Sequence, residues 1–277
     1  MLEKAYLEIT NICNMACDFC HGTCRAPREM TMTEFEALTD RLEGEAEYLY
    51  FHLMGEPLSH PLLPQFIARA REKGFRPMLT TNGSLLGEVG EALLKSPPHR
   101  ISISLHAPAA NRAFAQPSYL NDCISFAKKA AAQGVIVVLR LWNLGGAGEH
   151  ENDGILETLH AEFPNEWAKN RAGYRLAERL YLEWDREFVW PDKNAPQVPP
   201  KTDIFCYGLR NHVGILVDGT VVPCCLDADG VMALGNLFDT PLQEILATPR
   251  ARAIKTGFDC RRAVEPLCRT CGFVKKF

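Results

Sequence analysis

The sequence predicts an α/β protein, an open barrel of about six strand–helix units followed by a small domain built from a β-hairpin and helices. Over residues 5–185, short apolar runs alternate with amphipathic helical patterns. The last quarter has a different pattern and carries six of the eleven cysteines. A closed eight-stranded barrel takes ~250 residues, so six strands fit the available length better. An open α/β sheet is the alternative, because periodicity does not separate the two.

Six apolar runs are the predicted parallel strands. Helical patterns lie between them, and the first one has a capping box from Thr31 to Glu34. A later helix is predicted to start at Asn121 and to end at Gly134. Strand–helix–strand steps of this length imply a parallel sheet with right-handed crossovers. The predicted strands are 6–9, 48–54, 77–81, 101–105, 135–141 and 180–183.

The chain divides into three predicted parts, with the barrel over 1–185 and a linker over 186–204. The third part, 205–277, contains the run 215–222, which predicts a β-hairpin with an Asp-Gly turn. A further helix is predicted with Pro241 at its first position. The linker is polar and proline-rich, as is typical of an interdomain segment; its prolines are Pro191, Pro196, Pro199 and Pro200.

Composition excludes several classes of protein. Thirty Lys and Arg residues against 34 Asp and Glu give a net charge of −4, without the basic surplus typical of nucleic-acid binding. Apolar runs stay well short of the ~20 residues of a membrane span, and the first residues do not resemble a signal peptide. The expectation is a cytoplasmic protein that binds neither nucleic acid nor membrane.

Eleven cysteines are the unusual feature of the composition. Disulfide scaffolds are short and use even counts, whereas this chain is long and the count is odd. The cysteines are also clustered, with four between Cys13 and Cys24 and six between Cys206 and Cys271. In a reducing compartment, clustered thiols indicate metal binding.

The first cluster has the spacing Cys13-x3-Cys17-x2-Cys20, directly after the first strand. In a parallel barrel this position lies on the catalytic face. Three thiolates suit one iron–sulfur cube and leave one iron open for chemistry. Zinc is the alternative, with Cys24 or His21 as a fourth ligand.

The segment from Cys13 to Cys20, with Phe19 before the last cysteine, resembles the signature of the radical S-adenosylmethionine (SAM) superfamily. The resemblance implies a partial (β/α)6 TIM-like barrel that binds a [4Fe–4S] cluster through Cys13, Cys17 and Cys20, with SAM on the open iron. Further segments at successive strand ends are similar to the family's SAM-binding motifs, although Met54 replaces a glycine and His106 an aspartate. The SAM-binding residues implied are Phe19, Gly55, Glu56, Pro57, Asn82, Ser104, His106 and Arg140.

The tail offers a second set of thiols. The hairpin brings Cys224 back beside the strand that Cys206 precedes, and Cys268-x2-Cys271 adds two more. Four thiolates are a full ligand set for one cluster. The tail resembles the twitch form of the SPASM domain, which implies one auxiliary [4Fe–4S] cluster. A zinc knuckle is the alternative; Cys260 could replace one ligand, and Cys225 is as readily a packed thiol.

The resemblance implies an enzyme that cleaves SAM reductively to a 5′-deoxyadenosyl radical, which abstracts a hydrogen from a small-molecule or peptide substrate. An auxiliary cluster could then accept an electron, giving a two-electron oxidation of the dehydrogenase type. The electron donor would be a flavodoxin or a ferredoxin. The residues that act on substrate are not identified by sequence; the weak candidates are His52, which more often would be a satisfied core residue, and Glu183 and Asp185 at the end of the sixth strand.

Other functions remain open at this point. The nearest is a peptide-modifying radical SAM maturase that forms a thioether or carbon–carbon crosslink. Such enzymes usually carry a recognition domain before the first cluster, which here begins at Cys13. Glycyl-radical activating enzymes share the first motif, but their accessory clusters follow it directly. A non-catalytic zinc-binding protein is the alternative from a different class.

Overall fold

The computed structural model describes residues 2–111, 113–195 and 203–276. All six predicted parallel strands are present, and five further strands accompany them. The strands are β1 Leu2–Leu7, β2 Ala46–Tyr50, β3 Arg76–Thr81, β4 Arg100–Ser104, β5 Ile136–Leu144, β6 Ala168–Lys169, β7 Gly173–Ala177, β8 Leu180–Arg186, β9 His212–Ile215, β10 Thr220–Val222 and β11 Gly235–Asn236.

The helices of the barrel follow the strands in the predicted alternation. Thr31 caps the first of them with a complete capping box to Glu34. The helices are α1 Met32–Leu42, α2 Leu63–Glu72, α3 Leu86–Lys95, α4 Tyr119–Ala132, α5 Asn152–Glu162, α6 Leu242–Leu246, α7 Pro249–Asp259 and α8 Pro266–Thr270.

The described strands form one eleven-stranded sheet in the order β11-β10-β9-β1-β2-β3-β4-β5-β8-β7-β6. The stretch from β1 through β5 to β8 is parallel throughout, as predicted for the barrel. The sheet is open, because β11 and β6 lie at its two edges. The α/β prediction is therefore confirmed, with an open arrangement.

The two faces of the parallel strands have different chemistry. The outer face packs on the helices, where Phe35 stacks on Phe66 at 4.3 Å between ring centroids and meets Phe51 at 5.6 Å. These three rings are fully buried. The inner face carries polar and aromatic side chains such as Tyr50 and His52, which line a cavity. Because side chains alternate along a strand, the same strands build both the core and the site.

Several predicted boundaries are wrong by a few residues. The first strand is Leu2–Leu7 instead of 6–9, since pairing with β2 begins at its first residue. Asn121 lies inside α4, which Ser118 precedes. Pro241 is the residue before α6 and not its first helical position. Tertiary pairing and packing set these ends more strongly than local signals.

Sequence reasoning missed the insertion between β5 and β8. Helix α5 contributes few apolar side chains to the core, with Leu159 fully buried, so its helical pattern is weak. The short antiparallel strands β6 and β7 then extend the sheet beyond β8.

The cysteine-rich tail continues the barrel sheet. The predicted hairpin is present, with Gly219 at φ +83° in its Asp-Gly turn. Strand β9 pairs in parallel with β1, from Lys4 opposite His212 to Leu7 opposite Ile215. The division at 1–185, 186–204 and 205–277 stays a prediction, and the linker prolines Pro196, Pro199 and Pro200 lie outside the described residues.

Across the described parts of the chain, the helices are all too short or too polar to cross a lipid bilayer.

Candidate active site

A cavity of about 480 Å³ lies between the inner face of the barrel and the tail. Phe19 of the cysteine loop and Ser104 at the end of β4 line one side of it. Four of the predicted tail ligands line the other side, namely Cys206, Cys224, Cys268 and Cys271. One partly open cavity therefore extends from Phe19 of the cysteine loop to the four tail cysteines.

The loop after β1 presents the first cysteine set. Burial and the neighbouring Cys20 and Cys13 raise the pKa of Cys17 to about 12. Burial also raises the pKa of Cys13, and Cys20 adds to this shift. Because neighbouring thiolates repel one another, Cys13 and Cys17 favour the protonated form without a metal. A bound cationic cluster would relieve that repulsion.

A buried carboxylate that sequence reasoning missed anchors this loop. Glu8, directly after β1, is 0% exposed and accepts two hydrogen bonds from Arg25, at 2.8 and 2.7 Å. It also accepts from the backbone N–H of Met54 at 3.2 Å and of Val217 at 3.0 Å. A charged residue within the apolar stretch around β1 was the available signal. Glu8 thus ties the cysteine loop to β2 and to the tail hairpin.

Cys24 lies in a different environment from the three motif cysteines. It is exposed, and its Sγ accepts a hydrogen bond from Lys193 Nζ at 3.4 Å. Its backbone N–H donates to Asp229 at 2.9 Å, and Asp229 also pairs with Lys193 at 2.8 Å. These contacts join the cysteine loop to the tail and give Cys24 a partner other than the first cysteine set.

The loop after β2 approaches the cysteine loop closely at Gly55. Its φ is +76°, and a Cβ at this position would lie 2.4 Å from the carbonyl oxygen of Thr10 and 2.8 Å from that of Ile12. The next residue, Glu56, donates its backbone N–H to Ile12 O at 2.8 Å. Glycine is therefore required both by backbone conformation and by space.

Replacing Gly55 with alanine is expected to lower the free energy of unfolding by about 3 kcal/mol, from left-handed strain plus a backbone clash. Gly44→Ala is the matched control, since Gly44 has φ +74° but nothing within 4 Å of a Cβ. The control should lose about 1 kcal/mol. Denaturant unfolding of both variants measures the difference, and equal losses would contradict the close approach.

The side chain of Glu56 is 2% exposed, and its carboxylate forms hydrogen bonds within the protein. It accepts hydrogen bonds from Thr81 Oγ1 at 2.7 Å, from the Asn82 N–H at 2.7 Å and from the Leu58 N–H at 2.9 Å. Burial raises its pKa to about 7, against these hydrogen bonds. Glu56 therefore joins the loops after β2 and β3, and Pro57 beside it is buried at the start of a short 3₁₀ helix.

Asn82 lies beside the first cysteine. Its Nδ2 donates to Asn14 Oδ1 at 2.9 Å and lies 3.9 Å from Cys13 Sγ. Its backbone carbonyl accepts from the Tyr119 hydroxyl at 2.8 Å. The predicted SAM-binding residue is thus held next to the cysteine loop by contacts from two sides.

Side chains at the end of β4 and on β5 face the same cavity. His106 is 5% exposed, and its ring lies 5.1 Å from that of Phe19. Burial lowers the pKa of His106 to about 4, so the ring is neutral at pH 7 and supplies no negative charge where the family has aspartate. Ser104 precedes it on the cavity wall.

Arg140 on β5 lines the cavity with its guanidinium 4.2 Å from the centroid of the Trp142 ring. Its Nη1 reaches Thr80 Oγ1 at 3.5 Å, whereas its buried Nε has no hydrogen-bond partner among the described residues. Burial and the nearby Arg100 lower its pKa to about 10, so the charge is kept at pH 7. A buried cation with an unused donor suits a carboxylate ligand.

The three weak catalytic candidates separate in the structure. His52 lines the cavity, and its buried Nδ1 lacks a partner in the described structure, so the satisfied core histidine expected from sequence is wrong. Glu183 pairs with Arg100 at 3.3 Å and Asp185 with Lys276 at 2.7 Å. Neither carboxylate lines the cavity, and the substrate contact suggested for one of them stays a prediction.

The four tail cysteines come from three segments of the chain. Cys206 precedes β9, Cys224 follows β10, and Cys268 and Cys271 lie on and after α8. Burial raises the pKa of Cys206, Cys224 and Cys268. Neighbouring thiols add to each shift: Cys271 raises the pKa of Cys206, Cys225 and Cys268 raise that of Cys224, and Cys206 and Cys271 raise that of Cys268. The pocket around them is apolar, with Pro223, Met232, Phe258 and Leu267.

The remaining tail cysteines do not share this position. Cys260 is exposed and does not line the cavity, so it is not placed to replace one of the four. Cys225 lines the cavity on the barrel side, where its thiol and the Tyr6 hydroxyl share a hydrogen bond. Cys225 therefore has a hydrogen-bonding partner and faces the cavity, whereas the sequence suggested a thiol that only packs.

In the described ranges, no three His, Cys, Asp or Glu side chains have the spacing that a single metal ion requires. A zinc ion holds its sulfurs about 2.3 Å from the metal, whereas a cube attaches each thiolate to a different iron. The geometry of the described part of the chain therefore offers no preformed tetrahedral zinc set.

An open α/β barrel with two cysteine sets around one cavity defines a class of cofactor-dependent enzymes. The family model of the radical SAM superfamily matches residues 7–159, more than half of the chain. The SPASM model, described as an iron–sulfur cluster-binding domain, matches residues 206–272. The chain belongs to the radical SAM superfamily and carries a C-terminal SPASM-type domain.

Known proteins similar over nearly the whole chain differ in their reactions. A probable GTP 3′,8-cyclase of Metallosphaera sedula is 26% identical over 95% of this chain and 93% of its own. A PqqA peptide cyclase of Streptomyces rochei is 28% identical over 96% of this chain and 80% of its own. The crystal structure of BtrN with AdoMet and 2-DOIA superposes with a TM-score of 0.62 at 18% identity, covering 98% and 93% of the two chains. That structural likeness shows the fold alone.

The two matched families imply SAM and [4Fe–4S] clusters as cofactors. The residues present fit these groups: three thiols on one loop leave a fourth iron corner free, and four thiols in an apolar pocket make a complete set. The unused Nε of Arg140 also fits a carboxylate.

Proposed function

We propose that the protein is a radical SAM oxidoreductase that removes a hydrogen atom from a substrate bound in the cavity, in a net two-electron oxidation. The single observation that carries this proposal is the shared cavity, which reaches from Phe19 beside the first cysteine set to the four tail cysteines. A substrate there would be within reach of both cofactors.

In this proposal Cys13, Cys17 and Cys20 hold the SAM-binding cluster, and Cys206, Cys224, Cys268 and Cys271 hold one auxiliary cluster. When bound, the first cluster and SAM would supply a 5′-deoxyadenosyl radical able to take one hydrogen atom from the substrate. The auxiliary cluster would supply an acceptor for the second electron of the oxidation, and the substrate would release a proton. An external flavodoxin or ferredoxin reduces the first cluster.

The protein's own residues then orient SAM and exclude water. Arg140 contacts the SAM carboxylate. Asn82 and the backbone of Gly55 to Pro57 shape the edge of the site beside Cys13. The wall toward the nucleoside is formed by Phe19, Ser104 and His106. The apolar and aromatic lining keeps stray hydrogen donors away from the reacting carbon. His52, whose pKa burial lowers to about 3, is a poor proton acceptor at neutral pH and positions substrate by hydrogen bonding.

The test is anaerobic reconstitution with iron and sulfide, followed by incubation with SAM and dithionite. We expect roughly eight irons per chain, from two cubes, and formation of 5′-deoxyadenosine. A protein that retains zinc, takes up no iron and leaves SAM intact would instead support the non-catalytic zinc protein.

A second candidate is modification of a peptide, which the similarity to a PqqA peptide cyclase favours. Tyr207 lines the cavity and is 40% exposed, so it would be accessible to a longer substrate. Incubating the reconstituted enzyme with candidate metabolites and, separately, with peptides encoded by neighbouring genes distinguishes the two. A mass loss of two hydrogens from a metabolite supports the first proposal, and a crosslinked peptide supports the second.

A further inference from the structure

The cavity extends beyond the SAM side, toward the amino ends of the strands. Arg100 is the first residue of β4 and Lys4 is the third residue of β1, and both line the cavity. The cysteine loop follows the opposite, carboxyl end of β1. We name the group formed by Lys4, Tyr50, His52 and Arg100 the deep end of the cavity. It adjoins Arg140, which is assigned to SAM and whose charge acts on His52 and Arg100.

The charge of this region is positive. Lys4 and Arg100 line it, with Arg140 above them, and among the described lining residues Glu187, which follows β8, is the one carboxylate. Lys4 Nζ lies 4.0 Å from Glu3, at the limit of an ion pair. Arg100 Nη2 is 3.3 Å from Glu183, which leaves its other donors available. Cations gathered in a partly desolvated space repel one another, and an anion relieves that repulsion.

His52, which lines the same space, carries an unused polar atom. The buried Nδ1 of His52 has no hydrogen-bond partner in the described part of the chain. The ring lies edge-on to Tyr6 and Tyr50, each 5.5 Å away between centroids, so its orientation is fixed. Buried polar atoms in folded proteins nearly always have a partner, and one that does not requires an explanation such as a missing ligand.

We infer that the deep end binds an acidic group of the substrate, a carboxylate or a phosphate, with Arg100 and Lys4 as cationic contacts and His52 as a hydrogen-bonding partner. This inference rests on the proposed function, because it assigns the substrate class of the same cavity. A substrate that presents an ammonium group there is disfavoured by the same charges.

The test compares head groups on one ring. Equilibrium dialysis of the reconstituted holoenzyme, with saturating SAM so that Arg140 is engaged, measures binding of phenylacetate, phenyl phosphate, phenylacetamide and 2-phenylethylamine. At least one of the two anions should bind about tenfold more tightly than the amide. The anion that binds more tightly identifies the acidic group of the substrate as a carboxylate or a phosphate. If neither anion binds more tightly than the amide, or the amine binds best, the inference is overturned.

Two substitutions with opposite expected effects on anion binding distinguish a direct contact from a merely structural effect. Arg100→Gln should weaken binding of the preferred anion about tenfold and leave the amide unchanged. Glu183→Gln should tighten anion binding about threefold, because it removes the carboxylate that competes for Arg100. Arg69→Gln is the matched control, since Arg69 pairs with Glu36 at 2.7 Å and does not line the cavity. Equal loss of anion and amide binding in Arg100→Gln, or weaker anion binding in Glu183→Gln, would overturn the assignment.

The inference and the proposed function fail in different ways. Absence of 5′-deoxyadenosine from wild-type protein with SAM and dithionite would overturn the proposed oxidation, while a measured preference for anions would still support an acid-binding deep end. Normal SAM cleavage without any head-group preference would overturn the inference alone.

Discussion

Cys17→Ala is expected to reduce 5′-deoxyadenosine formation to the level seen without enzyme. Cys17 is the middle thiol of the first set, and its Sγ lies 3.6 Å from the carbonyl oxygen of Ala107, after β4. Without it, two thiols remain for a cube that needs three protein corners. Iron should fall from roughly eight to about four per chain, measured by elemental analysis beside chromatography of the nucleoside product.

Cys24→Ala is the matched control for this prediction. It removes a thiol from the same loop, but that thiol contacts Lys193 and is exposed. Iron content and SAM cleavage should stay at the wild-type level. If Cys24→Ala also removed the metal, Cys24 would be a fourth ligand and the open iron corner would be lost from the proposal.

Cys268→Ala is expected to separate SAM cleavage from product formation. The thiol is half-buried on α8 beside Met232, with its Sγ 3.6 Å from the methionine sulfur, and lines the cavity on the tail side. Its loss leaves an incomplete auxiliary set, whereas the cysteine loop is untouched. Formation of 5′-deoxyadenosine should stay within about threefold of wild type, and oxidised product should fall at least about a hundredfold, a loss of ~3 kcal/mol in transition-state stabilisation.

Cys260→Ala serves as the control, because Cys260 is exposed and outside the cavity. Both readouts should be unchanged in it. The experiment uses the substrate found with the wild-type enzyme and measures nucleoside and product in the same reaction. Equal loss of both in Cys268→Ala would argue against separate roles for the two cysteine sets.

The local patterns of the sequence predicted most of the fold. Alternating apolar runs and helical patterns located the six parallel strands, because the face of each strand that packs on the helices must be apolar. The capping box at Thr31 and the Asp-Gly turn at Gly219 were also predicted, since both depend on residues close in sequence. The insertion of α5, β6 and β7 was not predicted, because short, exposed elements have weak hydrophobic periodicity.

The site was predicted in part. Cysteine spacing predicted both thiol sets: Cys13, Cys17 and Cys20 lie close together in the chain, and the hairpin and Cys268-x2-Cys271 offered the tail set. Sequence gave no sign that Glu8 anchors the cysteine loop to the tail, because its partners Arg25 and Val217 are 17 and 209 residues away. Likewise, only the fold shows that Asp185 is paired with Lys276 and that His52 Nδ1 has no hydrogen-bond partner among the described residues.

The sequence by itself therefore determined the class of enzyme, through thiols whose spacing is set by the cofactor they hold. The tertiary structure decided what lies between them: β9 pairs with β1 and brings the tail over the barrel, and the inner face of the strands becomes one positively charged cavity. The physical reason is the separation along the chain of the residues that determine each feature. Ligand spacing and caps are local properties, whereas a cavity is made by side chains from distant strands, and their charges and unused hydrogen bonds exist only once those strands are assembled.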